Sequence, residues 1–259
     1  MRQWLIGLIL LILLTVPMVN AANTAKDHQA WKELNHIANQ VLQLTNQEKY
    51  EEAKRLMSLF ADTFLAHEFQ EENWTMSVLR TFTMSYENAL HALTAVQLHP
   101  DERQRQVMSF RLTVDALSNR GQPLWLHTEK DMLQKLAALA EAVELGEKQT
   151  FYHRVNDLTS FYEMIRPALK VQLPQEDIGR IDANVTFLSH ESFTFEQAPA
   201  HIEKMKEDFI KVYEQQSLSQ FDPSLIGVIT TIGGAVFIAL MYAGVKKYRA
   251  EKRKVKAKQ

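Results

Sequence analysis

The sequence predicts an all-α protein, and three observations carry that expectation. Only three glycines, Gly121, Gly146 and Gly179, stand between residues 22 and 224, too few for the tight turns of a β fold. Apolar residues recur instead at spacings of three and four, the period of a helix that buries one face. Pro100, Pro123, Pro174 and Pro199 fall between those runs, where a missing amide hydrogen costs no intrahelical bond.

The first element is expected to lie outside the fold. Met1-Arg2-Gln3-Trp4 leads into Leu5 to Val16, which carries no charge and is too short to cross a hydrocarbon core of about 30 Å as a helix. Pro17 follows, and Val19 and Ala21 stand at the minus 3 and minus 1 positions of a signal-peptidase site. Residues 1–21 read as a cleaved signal peptide, with an uncleaved anchor as the alternative.

Eight amphipathic helices follow. Trp31, Leu34, Ala38 and Val41 mark the first, and Ala53, Met57, Phe60 and Phe64 the second, with Thr45-Asn46-Gln47 between them. Val78, Phe82, Tyr86, Ala89 and Leu93 mark a third; Val107, Phe110, Val114 and Leu117 a fourth. Met132, Leu136, Leu139 and Val143 run into Gly146, a residue suited to a helix C-cap. Phe151, Val155, Leu158, Tyr162 and Ile165 come next, then Ile178, Ile181, Val185 and Leu188, and last Ile202, Met205, Phe209 and Val212. The array is expected to form a bundle or a set of helical hairpins. The spacing also allows two four-helix halves offset by about 100 residues, divided at Arg120-Gly121-Gln122-Pro123, with Leu44 matching Leu145 and Tyr50 matching Phe151. Eight helices of ordinary length give similar spacing without duplication.

Leu225 to Val245 is uncharged for 21 residues, and at 1.5 Å per residue it reaches across a bilayer. Eight bases and one acid, Glu251, follow it, so the positive-inside rule puts the tail in the cytoplasm. The expected organisation is a signal peptide at 1–21, an extracytoplasmic helical domain at 22–222, a transmembrane helix at 223–245 and a basic cytoplasmic tail at 246–259, in a single-pass protein of the cell membrane. The formal net charge of −2 hides an asymmetry, because 20 of the bases and 30 of the acids lie between residues 22 and 224. So acidic a domain argues against nucleic acid as a partner.

No cysteine is present, which excludes thiol catalysis, disulfides and Cys-ligated metals. The sequence shows no phosphate loop, no His-Glu-x-x-His and no Gly-x-Ser-x-Gly. No two of the nine histidines are three or four residues apart, the spacing that aims two imidazoles at one ion. The reading is therefore a non-enzyme with no catalytic residue, cofactor or metal site. One loop is a candidate for binding: Arg120, Trp125 and His127 set a cation, an aromatic platform and a titratable group around the central Gly-Pro turn, although helix punctuation accounts for the same residues. In the membrane segment Gly227, Thr231, Ala235, Ala239 and Ala243 form a small-residue stripe of the kind that lets helices approach in lipid, which would serve a homodimer or another membrane partner.

Taken together, Trp31-Lys-Glu-Leu-Asn-His-Ile, Leu117-Ser-Asn-Arg-Gly-Gln-Pro-Leu-Trp125, and Ile229-Thr-Thr-Ile-Gly-Gly-Ala-Val-Phe-Ile ahead of a Lys-Lys-x-Arg tail resemble the sporulation protein YpjB family of endospore-forming Bacillus-type bacteria. The resemblance spans essentially the whole chain. It implies placement in a cell membrane and a role connected with spore formation, and it supplies no catalytic residue. The expectation is a membrane-anchored interaction protein of the cell envelope, with the lipid bilayer and another envelope or sporulation protein as partners. The alternative is an extracytoplasmic sensor with a small-ligand pocket between the two helix sets, of roughly 300 Å³ or more.

Overall fold

In a computed structural model the described residues are 21–67, 69, 74–188, 190 and 193–218, with Gly233, Gly234, Phe237 and Leu240 further on. They form eight α-helices and two short 3-10 turns, with no strand among the described residues. The helices are α1 (Ala21–Asn46), α2 (Tyr50–Leu65), α3 (Met76–Thr94), α4 (Pro100–Ser118), α5 (Glu129–Glu144), α6 (Lys148–Gln172), α7 (Gln175–Leu188) and α8 (Ala198–Leu218). Most of the residues whose spacing defines each helix in the sequence are buried, from Trp31, Leu34, Ala38 and Val41 in α1 to Ile202, Met205, Phe209 and Val212 in α8.

The helices divide into two rings of four. In each ring every helix packs on its neighbour in the chain, and the first also packs on the fourth: α1 with α4, α5 with α8. One apolar cluster runs through the first ring around Phe60 and Phe110, and a second through the other ring around Leu139 and Phe209. The rings meet through α6, which lies against α3 and α4. Helix α4 is shared, since Val107, Phe110, Val114 and Leu117 face the first cluster while Leu112 and Ala116 face the second.

Two hairpin turns fix the register between the halves. Helix α1 ends with Glu48 at φ 58° and α5 with Gly146 at φ 69°. Around Glu48, the Lys49 amide donates to the Leu44 carbonyl and the Glu48 amide to the Thr45 carbonyl. Around Gly146, the Glu147 amide donates to Ala142 and the Gly146 amide to Val143. Both are Schellman caps, which satisfy the last carbonyls of a helix through a left-handed residue. The same separation relates Leu34 to Met132, Val41 to Leu139, Met57 to Val155 and Phe60 to Leu158, all buried. The expected pairs Leu44 with Leu145 and Tyr50 with Phe151 are therefore corrected: Leu44 corresponds to Ala142, and Ala53 to Phe151. Helix spacing alone left the register three residues out, because the cap sets it.

The left-handed backbone is costly for any residue with a Cβ. Gly146→Ala is accordingly expected to lower stability by about 1 kcal/mol, and Glu48→Gly to raise it by a smaller amount, both read from urea unfolding midpoints. Equal effects of the two changes would contradict the cap assignment.

Helix α6 continues through Pro167 to Gln172, beyond the run ending at Ile165. The proline removes one backbone bond, while Ala168 and Leu169 beyond it are buried and hold the last turns against the core. No helix among the described residues is long and apolar enough to cross a membrane. Of the expected signal peptide 1–21, all but Ala21, the first residue of α1, lies outside the described residues, as does the stripe of Gly227, Thr231, Ala235, Ala239 and Ala243. So does Leu225–Val245, except for Gly233, Gly234, Phe237 and Leu240.

Candidate functional site

The segment between α4 and α5 is the seam of the two rings. Asn119 closes its start: its Nδ2 donates to the Gln122 carbonyl and its Oδ1 accepts from the Gln122 amide. A 3-10 turn, Leu124–Thr128, then drives Trp125 into the second ring. Trp125 is 0% exposed. Its Nε1 donates to Gln172 Oε1 at 2.6 Å, and its ring lies 5.4 Å from that of Tyr213. Gln172 Nε2 donates in turn to the carbonyls of Ala116 and Asn119. One glutamine at the end of α6 thus ties the seam to α4.

The seam also holds a buried acid. Asp115 Oδ2 accepts from the Leu124 amide at 2.6 Å, and Oδ1 lies 3.7 Å from Arg111 Nη1. Burial pushes the Asp115 carboxyl above the usual range, against the Leu124 hydrogen bond and the charges of Arg111 and His127. Burial likewise draws the Arg111 guanidinium down, opposed by Asp115. Arg111 also donates to Asn35 Oδ1, and Asn35 to Ser118 Oγ, so the pair cross-links α1 and α4.

Of the residues expected to form a binding loop, Trp125 is therefore a core plug and offers no open platform, while Arg120 and His127 are exposed. The structure does not bring the three together. It brings Arg120 instead to a solvent-open cleft of about 300 Å³ between the rings, lined by Trp74, Thr75 and Val78 of the first ring, Leu117 and Arg120, and Val171, Gln172 and Gln216 of the second. Gln216 Nε2 donates to the Arg120 carbonyl at 2.8 Å. The cleft has an aromatic wall, a guanidinium and side-chain amides, and its size is at the lower end of small-molecule sites. No periodicity could have announced it, because Trp74 and Gln216 stand 142 residues apart in the chain. Among the described residues, no group of three or more His, Asp or Glu side chains could hold a metal ion.

A second polar cluster clamps α6 to α7. Arg166 donates twice to Asp182, at 2.5 and 2.6 Å, and the buried Tyr162 hydroxyl donates to Asp182 Oδ1 at 2.6 Å. Burial works against the Asp182 charge, but the hydrogen bonds from Arg166 and Tyr162 and the charges of Arg166 and Lys170 outweigh it and hold the carboxyl below its ordinary value. Burial, then Asp182, pushes the Tyr162 phenol up. Asp182 thereby ties α7 to α6 through Arg166 and Tyr162.

Fold and site together define a class: a cysteine-free, all-α protein of two joined four-helix rings, with a cleft at the seam. The chain belongs to the sporulation protein YpjB family, whose sequence model matches residues 31–257. It is similar to the uncharacterized protein YpjB of Bacillus subtilis (strain 168), 27% identical over 250 residues that cover 95% of each chain. No solved structure matches it.

Proposed function

We propose that the protein is a membrane-anchored, non-enzymatic interaction protein of the cell envelope, acting in connection with sporulation. In this reading the helical domain is exported and Leu225–Val245 is its single transmembrane anchor, with the basic tail in the cytoplasm. The observation that carries the reading is the uncharged 21-residue segment followed by eight bases. The family match extends over this segment and the bases up to Lys256. The exported domain then meets a partner protein in the envelope, and the small-residue stripe at Gly227, Thr231, Ala235, Ala239 and Ala243 offers a packing face to a second copy or another membrane helix.

Affinity capture of the solubilised full-length protein from sporulating cells, set against a version lacking residues 22–222, tests the reading. A partner retained only with the intact domain is the expected result. Absence of any such partner would overturn it. The cleft of about 300 Å³ between the rings favours a second reading, an extracytoplasmic sensor, in which Trp74 and Arg120 contact a small ligand.

A further inference from the structure

We propose that the end of the helical domain bearing both chain ends faces the bilayer, and that the facing ends of α2 and α3, at Leu65 and Met76, rest on the lipid surface. This rests on the anchoring proposed above.

The topology sets the direction. Trp31 of α1 packs on Phe64, Phe69 and Trp74, with ring centroids 6.5, 4.8 and 5.8 Å away, so the early part of α1 lies at the α2–α3 end. Gln216, near the end of α8, lines one cleft with Trp74, Thr75 and Val78. The chain thus enters and leaves the domain at the same end. Between Leu218 and Leu225 lie only residues 219–224, which extend to about 20 Å at most. A helix anchored from Leu225 onward therefore holds this end against the bilayer.

The two halves differ at that place. In the second half, α6 stays helical to Gln172 and a short turn leads into α7. In the first, α2 stops at Leu65 and α3 starts only at Met76. The shorter α2 leaves a tip where Leu65 and Met76 are each 79% exposed and Leu79 is 38% exposed, beside half-buried Phe69 and Trp74. Aromatic and apolar side chains of this kind settle at the headgroup level of a bilayer. The short tether raises the effective concentration of lipid at the tip to about the millimolar range or above, so a weak contact is populated. The domain carries 30 acids against 20 bases between residues 22 and 224, which favours uncharged over anionic headgroups. Val96 and Leu145 are exposed too, but they sit at the far ends of the rings, roughly 28 Å away along the 19 residues of α3.

The absence of cysteine makes the test direct. Leu65→Cys, Met76→Cys, Val96→Cys and Leu145→Cys are each made in the full-length chain, labelled with an environment-sensitive fluorophore and reconstituted into phosphatidylcholine vesicles carrying a headgroup-region nitroxide lipid. Flotation first shows whether the protein is anchored. Quenching several-fold stronger at 65 and 76 than at 96 and 145, and weaker again when anionic lipid is added, is the expected result. Protein that floats with equal or no quenching at the four positions overturns the proposal and leaves the anchor standing. Protein that does not float removes the anchor, and the proposal with it.

Discussion

Trp125→Ala is expected to destabilise the helical domain by about 3–5 kcal/mol, the range for deleting a fully buried large aromatic side chain. The indole fills the second ring, lies tilted against Tyr213 and donates to Gln172, so its removal leaves a cavity and an amide oxygen without its donor. Trp125→Phe separates the two effects. It keeps most of the volume and loses the donor, and the smaller cost of about 1–3 kcal/mol expected for an unsatisfied buried acceptor should remain. Since domains of this size are stable by only about 5–15 kcal/mol, the alanine variant should unfold at a much lower urea concentration. A loss under about 1 kcal/mol, well below the cavity range, would contradict the plug assignment and return Trp125 to the surface role its loop position suggests.

Asp182→Ala comes second, with an expected loss of about 2–3 kcal/mol, because it strips hydrogen bonds from a charged Arg166 and from the Tyr162 hydroxyl. The partial exposure of Arg166, whose side chain is 39% exposed, keeps the figure below that of a fully buried pair. The pH dependence has a definite sign. Asp182 has a folded-state pKa lowered from 3.8, so the stability it contributes is fully present above its unfolded value and is lost as pH falls through the folded one. The wild-type protein should therefore lose a component of stability below pH 3.8 that the alanine variant lacks. Parallel acid limbs for the two proteins in urea titrations would show that the clamp does not form in solution.

Much of the fold was legible in the sequence, because a helix that buries one face writes its period into the chain. Val107, Phe110, Val114 and Leu117 announced α4, yet not its second face, since Leu112 and Ala116 become apolar contacts only once another ring lies beside them. Pro167 gives no clear signal for a similar reason: whether a proline ends a helix or is carried inside it depends on the burial that follows. The two sets of four helices were visible in outline, but the register between them was set by two left-handed cap residues, one of which is a glutamate and gives no signal of its own. The site was the least legible part. Trp125 looked like a platform because it follows a Gly-Pro turn, whereas the 3-10 turn drives it inward. The cleft joins Trp74 to Gln216, and no local pattern encodes which helices will meet.

The interaction role and the lipid-facing end both depend on the topology, and one measurement tests it most directly. Val96→Cys and Lys256→Cys are placed separately in the cysteine-free chain, and intact cells are exposed to a membrane-impermeant maleimide. The account predicts that position 96 is labelled in intact cells while position 256 is labelled only after lysis. Labelling of position 256 in intact cells, or protection of position 96 until lysis, would contradict an exported domain on a single C-terminal anchor.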